Sequence, residues 1–331
     1  MPGVTPTNEL VNGWVKGLRL VCLSFAWKRL LPEALAAIIC GNHQSQAVEL
    51  AIKEVQLPPL RMQGQLAKAH SQGMEFVGGS ILVTARRDDV LPKRALLLRT
   101  AAAAEDWDVW DITPLDAQGE VTTLDHPGGM QSDGTRVWIP LAESRRNGRS
   151  IIRAFPLKDL VAGRPLEPEL QFSVNDHIGA VAVSVEHQWL LGANWDTEKV
   201  YVWNFEGNLQ RTLTSFELKT RGLGVASAEG RNGLAVQDWK LVGDGLFASG
   251  LLRTFGDSAG STESRLSCFT NFLEAGFQRW TVKLPLVNGT QLAREAMTIS
   301  GSVLHFLPED LGATNRMFRV SQTNWFTDLH R

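Results

Sequence analysis

The sequence predicts an all-β fold, a β-propeller with five blades, behind an N-terminal segment that is helical or signal-like. From about residue 55 onward, apolar runs of four to six residues alternate with clusters of Gly, Asp, Asn and Pro, which is the pattern of short strands joined by turns. A short template also recurs at intervals long enough for a four-stranded blade and a loop. Together these two observations favour a ring of similar sheets over a mixed α/β fold.

The template is a polar residue, two variable positions, a small residue, and then an apolar residue that leads through a turn into an apolar strand. Its copies begin at residues 70, 126, 177, 232 and 293, at intervals of 56, 51, 55 and 61 residues. A small fourth residue would let the innermost strands approach each other at the propeller axis. Six blades remain the alternative if residues 255–286 contain another unit. Residues 57–69 are expected to supply a closing strand to the last blade, because closure leaves few exposed sheet edges.

The first 47 residues are predicted to be a signal-like or helical segment, and residues 48–331 a single propeller domain. Lys28 and Arg29 precede an apolar run at 30–40, and a polar stretch then ends at Ala47, in the order of a secretory signal. Glu33 interrupts the run, so an amphipathic helix is the alternative. We therefore expect a periplasmic or extracellular location, with a cytoplasmic one as the alternative. No uncharged apolar run reaches about 18 residues, so we expect no transmembrane span.

The composition narrows the classes of function. The chain has 331 residues, 44% hydrophobic and 21% charged, and a net charge of -2. This is an ordinary globular composition that can bury a large core. The near-neutral charge argues against a nucleic-acid partner, since a phosphate backbone selects a basic surplus. The sequence also has no G-x-S-x-G elbow, phosphate-binding P-loop, H-E-x-x-H motif or dinucleotide fingerprint.

Three histidines occupy the same template position in consecutive units: His70, His126 and His177. In a propeller, the starts of the innermost strands gather around the axis, so these side chains are predicted to converge. Neutral imidazoles placed there could act as catalytic bases or hydrogen-bond a ligand. They could also bind Zn²⁺, Fe²⁺ or Mn²⁺. The alternative is a structural turn, because Asp125 and Asp176 directly precede two of them.

Carboxylates on or just after the predicted inner strands form a second candidate set: Glu75, Glu143, Asp196 and Asp238. Paired carboxylates could serve glycoside hydrolysis. Together with Asn194 and water they could instead hold Ca²⁺. The alternative is that each is a solvated loop acid.

Tryptophan is unusually frequent, with eleven against one tyrosine. Trp138, Trp189 and Trp203 lie inside apolar runs and are predicted to be core residues. Trp195 and Trp239 lie beside acids at predicted strand ends, where an aromatic face could stack on a sugar or another ring. Packing at a blade edge is the alternative for these two.

Motifs in the second and third units carry a resemblance to a known family. They are His126-Pro127-Gly128-Gly129-Met130, Val137-Trp138-Ile139-Pro140-Leu141-Ala142-Glu143, Asp176-His177-Ile178-Gly179 and Asn194-Trp195-Asp196. They cover about a quarter of the chain and resemble a family of uncharacterised, secreted, propeller-like proteins. The resemblance implies the fold and export but no activity. The chain departs from the family pattern at residues 196–199, so the ligand could differ as well.

The sequence leaves two functions open. In the first, the chain is a hydrolase or lyase that uses the channel histidines, with or without a divalent metal, on a small polar molecule. In the second, it is a non-enzymatic module that binds a glycan or a protein. The fold does not choose between them, because propellers host both. Convergence of the histidines at an open cavity would favour the first, and a plugged channel the second. The sequence does not settle whether the chain is an enzyme.

Overall fold

Five antiparallel sheets are arranged around one axis, which confirms the predicted five-bladed propeller. The computed structural model describes residues 50–101, 104–224, 233–253 and 263–322. Buried apolar side chains fill the spaces between neighbouring sheets, and each cluster of buried side chains is shared by two adjacent blades. The core is therefore distributed around the ring, and the axis at its centre is lined by the innermost strand of each blade.

The strands follow in chain order. Before the first blade come β1 (Leu50–Leu57), β2 (Arg61–Met62) and β3 (Gln65–Leu66). The first blade has β4 (His70–Val77), β5 (Ser80–Arg87), β6 (Arg94–Ala101) and β7 (Asp108–Asp111). The second has β8 (His126–Pro127), β9 (Gln131–Ser132), β10 (Arg136–Ala142), β11 (Ser150–Pro156) and β12 (Leu170–Val174). The third has β13 (Ile178–Ser184), β14 (Trp189–Asn194), β15 (Val200–Asn204) and β16 (Leu209–Leu213).

A short helix α1 (Ser215–Thr220) leads to the fourth blade. That blade has β17 (Gly233–Val242), β18 (Gly245–Arg253), β19 (Glu263–Thr270) and β20 (Gln278–Lys283). After a hairpin of β21 (Leu286–Val287) and β22 (Thr290–Gln291), the fifth blade has β23 (Ala296–Ser300), β24 (Val303–Leu307) and β25 (Asn315–Gln322). Three single 3₁₀ turns lie at Leu157–Asp159, Trp195–Thr197 and Leu292–Arg294. The segment considered for a sixth blade supplies β19 and β20 of the fourth.

The ring closes through β1, which pairs with β25 over its whole length, from Leu50 opposite Gln322 to Leu57 opposite Asn315. The last blade therefore combines one strand from before the first blade with three from the C-terminal part. A closing strand from the N-terminal side was predicted, but from residues 57–69. Those residues instead contain the β2–β3 hairpin and the entry to the first blade.

Close approach of the innermost strands explains the small residue in the template. A Cβ on Gly73 would lie 2.7 Å from the Cα of Gly129. A Cβ on Gly129 would lie 2.4 Å from an oxygen of Asp238 and 2.9 Å from the Cβ of Ala180. The first four blades thus meet at one level of the axis. There, the first three contribute only Gly or Ala, and these small residues pack around the carboxylate of Asp238 from the fourth blade.

Irregularities in the inner strands re-aim their side chains near this level. Three inner strands shift register where they pair with the next strand of their blade. The shifts lie between Ser71 and Gly73 in β4, between Ile178 and Ala180 in β13, and between Val236 and Asp238 in β17. A bulge adds one residue and turns the following side chain to a new face. In β17 the shift directs Asp238 to the axis and Trp239 into the space between blades.

The predicted signal-like segment, residues 1–47, lies outside the described residues, and export remains a prediction. None of the helices in the described ranges is long and apolar enough to cross a membrane.

Candidate functional site

The candidate site lies at one end of the axis, here called the mouth, where the innermost strands begin. His70 and His126 start β4 and β8, and His177 immediately precedes β13. The loops after β5, β10, β14 and β24 reach the same end and bring charged residues to it. The three histidines thus lie at the mouth, at or just before the start of the innermost strands.

His177 is buried and held in one orientation. Its Nδ1 lies 2.7 Å from the backbone carbonyl of Glu143, so Nδ1 carries the hydrogen and donates it. The neutral ring therefore has an unprotonated Nε2. Burial lowers the pKa of His177, although the carbonyls of Glu143 and Arg145 and the charge of Asp176 oppose the shift. At neutral pH the ring is therefore neutral.

His126 is held in the opposite tautomer. Its Nδ1 lies 2.6 Å from Nη1 of Arg86, and a guanidinium can only donate. Nδ1 therefore accepts, and the hydrogen of the neutral ring lies on Nε2. Burial and then the charge of Arg86 lower the pKa of His126 well below its ordinary value. The rings of His126 and His177 are adjacent, with centroids 5.3 Å apart.

His70 joins a separate acidic group on the other side of the mouth. Its Nδ1 lies 2.6 Å from a carboxylate oxygen of Asp310, and its Nε2 lies 3.7 Å from one of Glu295. Burial raises the pKa of Glu295 to about 8, against the opposing charge of Arg294. Glu295 therefore carries a proton at neutral pH. The structure brings two histidines into contact and pairs the third with acids.

Glu143 is a positioning residue. Its carboxylate accepts hydrogen bonds from the backbone N–H of Arg149 and from the side chains of Arg145, Arg149 and Thr123. These bonds, the one from the Arg149 backbone first, lower the pKa of Glu143 to about 2. The carboxylate is fully occupied by the loop after β10, and the carbonyl of the same residue orients His177.

Asn194 supports His177 from the next loop. Its side-chain amide donates to Asp176 at 3.0 Å, and Tyr201 donates its hydroxyl to the same carboxylate oxygen at 2.8 Å. Asp176 in turn accepts the backbone N–H of His177 at 2.8 Å. Burial and the carboxylate of Asp176 raise the pKa of Tyr201 above its ordinary value, so its hydroxyl stays a donor.

Trp195 and Asp196 border the mouth beside His177. The ring of Trp195 is half-buried and meets the imidazole edge to face, with centroids 4.7 Å apart. Asp196 adopts a left-handed backbone conformation with φ of 57° and pairs with Arg146. Trp195 is thus placed where an aromatic ring can contact a molecule bound at His177.

Glu75 and Asp238 lie deeper, inside the axis. Asp238 has no exposed surface and accepts four hydrogen bonds, from Lys240 Nζ and from the backbone N–H groups of Met74, Trp239 and Met297. Oε2 of Glu75 is buried and has no hydrogen-bond partner among the described residues. Burial raises the pKa of Glu75 to about 8 and that of Asp238 to about 6. At neutral pH Glu75 is mainly protonated and Asp238 ionised.

The expected ligand contacts of Asp238 and Trp239 are not compatible with these positions. Trp239 has no exposed surface and packs in the core between the third and fourth blades. Asp238 ties β17 to β4 and β23, so it stabilises the ring and fills the axis. The physical reason is the bulge in β17, which the sequence pattern does not reveal.

A metal centre was also predicted, with His70, His126 and His177 as ligands. Within the described ranges, no three His, Cys, Asp or Glu side chains are grouped so that they could hold a metal ion. Nδ1 of each histidine is already bonded to a neighbouring protein group. A divalent ion as cofactor stays a prediction from the sequence.

The sequence did not identify several residues that lie at the mouth. Arg86, Glu295 and Asp310 lie in loops or at strand ends where one charged residue resembles another. Asp176 gave a signal, since it precedes His177, and it does stabilise that turn. Lys240 lies two residues after Asp238, on the same face of β17. This spacing in an apolar strand was the feature of the sequence that could have indicated a buried ion pair.

One family model matches part of this chain, and several solved structures are distantly similar to it. The family of unknown function DUF6454 matches residues 111–272, just under half of the chain. No curated protein matches the sequence. An α-L-arabinofuranosidase of Fusarium graminearum is similar at 10% identity and a TM-score of 0.42, over 82% of this chain and 97% of that one.

Two further solved structures are similar. For a putative glycoside hydrolase of Parabacteroides distasonis the identity is 10% and the TM-score 0.44, over 81% of this chain and 93% of that one. For the β-propeller domain of Myceliophteria thermophila Cps50 (Swd1) the identity is 15% and the TM-score 0.34, over 55% of this chain and 51% of that one. This chain therefore spans about half of the Cps50 domain. Similarities this distant carry no argument about function.

Proposed function

We propose that the protein binds a small polar molecule at the mouth and acts on it by proton transfer, as a hydrolase or a lyase. One observation carries the proposal. His177 and His126 are neighbours fixed in opposite tautomers, one by a carbonyl of Glu143 and the other by the guanidinium of Arg86. Such a pair offers a hydrogen-bond acceptor and a donor side by side without either ring being charged.

The two rings suit different roles. Nε2 of His177 would take a proton from a bound water or from carbon, and the resulting imidazolium would be stabilised by the Glu143 carbonyl and by Asp176. Nε2–H of His126 would donate to a substrate oxygen. Arg86 beside His126 disfavours a second proton on that ring, so it would act as a neutral donor. Protonated Glu295, beside His70, would provide a further proton source across the mouth.

This arrangement constrains the substrate class. A base beside a donor suits attack of water on a carbonyl group, as in a lactone or ester, and equally the removal of a proton next to a carbonyl group. Trp195 would cover one side of the bound molecule. The shared requirement is a small molecule with an oxygen that gains negative charge during the reaction.

The tautomers can be measured directly. In protein labelled with ¹⁵N-histidine, we expect His177 to carry its hydrogen on Nδ1 and His126 on Nε2 at pH 7. The reverse tautomer in either ring, or a charged ring at that pH, would overturn the proposal. Assignments come from His126→Gln and His177→Gln, each of which removes one set of signals.

Activity is then tested with a panel of lactones, aryl esters, aryl glycosides and uronates. Any turnover by the wild type should fall about 10²-fold or more in His177→Gln, because a positioned base contributes about 10²–10⁴-fold. His187→Gln is the matched control, since His187 is an exposed histidine on the opposite face. Turnover that survives in His177→Gln would contradict the role of this ring.

A non-enzymatic module for a glycan or protein is the second candidate. It is favoured by the filled axis below the mouth and by acids already paired, such as Glu143 with Arg145. A ligand that binds the wild type and His177→Gln equally well, and is recovered unchanged, would support this candidate over the first.

A further inference from the structure

A cleft lies at the opposite end of the propeller from the histidines, between the third and fourth blades. Its volume is about 530 Å³. It is bounded by the turns after β13, β17 and β19, which lie at the ends of these strands remote from the mouth. Sites for small organic molecules commonly have volumes of about 300–1,000 Å³. The cleft is therefore large enough for such a molecule and shares no residue with the mouth.

The base of the cleft is apolar. Leu191, Leu246 and Phe272 are buried and belong to the core between the two blades. Trp189, predicted to be a core residue, is only partly buried here, and its ring stacks on His187 with an interplanar angle of 5°. Val185 is 58% exposed at the rim. An apolar body entering the cleft would bury aromatic and aliphatic surface that now faces solvent.

The charged side chains that line the rim are acidic, while Arg211 and Arg221 donate to backbone carbonyls of the turn after β19 from outside the lining. Each of the three turns contributes an exposed acid: Glu186, Asp244 and Glu274. Among the described residues that line the cleft, none is lysine or arginine. A concave surface lined by one sign of charge raises the local concentration of ions of the opposite sign. Aromatic faces such as that of Trp189 also attract cations.

From this combination we propose that the cleft binds an organic cation, an ammonium group carried on an apolar body. The apolar part contacts the base near Trp189 and Leu246, and the ammonium group lies at the acidic rim. The proposal is independent of the chemistry at the mouth. It also accounts for the apolar surface that Val185 and Trp189 keep exposed at the cleft.

The probe is dansylcadaverine, a fluorescent aromatic body with a primary ammonium, and its N-acetylated form is the uncharged counterpart. We expect fluorescence enhancement and saturable binding of the cation at low salt, and clearly weaker binding of the acetylated form. Equal affinity of the two forms, or no saturable binding of the cation, overturns the proposal.

Variants locate the probe. The triple variant Glu186→Gln, Asp244→Asn, Glu274→Gln should bind about tenfold more weakly, as expected for three exposed ionic contacts. The matched control removes three exposed acids elsewhere: Glu105→Gln, Glu120→Gln, Glu167→Gln. It changes the net charge equally and should leave the affinity unchanged. If both triple variants weaken binding alike, only net charge is responsible and the proposal fails.

A second pair tests the position of the ammonium group without removing an acid. Val185→Lys places a cation at the rim and should weaken binding. Leu209→Lys does the same at a residue of similar exposure, 55% against 58%, outside the cleft. His177→Gln should leave the affinity unchanged, which separates this site from the mouth. Unchanged binding in Val185→Lys counts against the proposal.

Discussion

The mouth and the interior of the axis are lined by the same five strands, yet they use polar groups in opposite ways. At the mouth, His126 and His177 are each fixed through Nδ1, and Nε2 of each is the remaining polar atom of the ring. Inside the axis, the two carboxylate oxygens of Asp238 together accept hydrogen bonds from four donors of the protein. The first arrangement leaves hydrogen-bonding capacity available for a ligand, and the second uses it to hold strands together.

The difference teaches how to separate a site from a structural polar cluster in a ring of repeats. Burial alone does not distinguish Asp238 from His177, because both side chains are buried. The distinction lies in the number of hydrogen-bond partners that the protein itself supplies. Variants at both levels of the axis test that distinction.

Asp238→Asn should cause the largest loss of stability. The new amide would present hydrogens to donors that now bond to the carboxylate, and it would leave the ammonium of Lys240 buried without its counter-ion. We expect the free energy of unfolding to fall by about 3–5 kcal/mol. Urea denaturation measures it, with the exposed Asp244→Asn as the control. A loss below about 1 kcal/mol would mean that Asp238 does not hold the ring together.

Gly129→Ala should come next. The added methyl would meet Asp238 Oδ1 at 2.4 Å and Ala180 at 2.9 Å, so the innermost strands must move apart. Overpacking of this kind costs about 1–3 kcal/mol. Gly276→Ala, where a methyl would meet nothing within 4 Å, is the control for thermal unfolding. Equal melting temperatures for the two variants would contradict close packing at the axis.

Glu75→Gln should raise stability in alkaline solution. The folded pKa of about 8 exceeds the ordinary value of 4.5. At pH values between 4.5 and 8, the folded state therefore keeps a proton that the unfolded state has lost. Stability present below pH 4.5 is therefore lost as the pH rises towards 8. The shift corresponds to about 4 kcal/mol at pH 8. Glutamine mimics the protonated form, but its buried amide would lack a partner at the Oε2 position, so we expect a net gain of about 1–2 kcal/mol. A variant no more stable than the wild type at pH 8 would argue for an ionised Glu75.

His126→Gln should have the smallest effect, visible as a change in acid sensitivity. The pKa of His126 is lowered in the fold, so below about pH 6.5 the unfolded chain binds a proton that the folded state resists. The wild type should lose about 1 kcal/mol more stability between pH 7 and pH 5 than the variant does. His187→Gln, which removes an exposed histidine far from the mouth, is the matched control. Parallel pH profiles for His126→Gln and the wild type would show that this ring accepts a proton freely.

Much of the fold was predictable because it depends on local patterns. Alternating apolar runs and turn residues identify strands, and the recurring template counts the blades. The small residue at the fourth position indicated close approach at the axis, and Gly73 and Gly129 do meet there. The closing strand was misplaced because β1 and the residues after it are both apolar and extended, and only pairing with β25 distinguishes them.

The site was predictable in outline only. The repeat placed three histidines at one end of the axis, but their partners come from loops that carry no pattern. Arg86 lies 40 residues from His126, and the carbonyl that orients His177 belongs to a residue 34 positions earlier. The tautomers depend on these long-range contacts. The direction of Trp239 depends on a bulge in β17, whose single extra residue leaves no mark in the composition.

Closure of the last blade has a consequence for the order of assembly. The amide of Asn315 reaches the carbonyl of Pro58, so residues 257 positions apart become neighbours. Contacts of such long range are slow to form, because a large loop loses entropy before any pairing compensates it. During synthesis, β1 must wait unpaired until β25 has left the ribosome. A circular permutant that joins β25 to β1 by a short turn and opens between two other blades would convert this late encounter into a local hairpin, and it should fold faster.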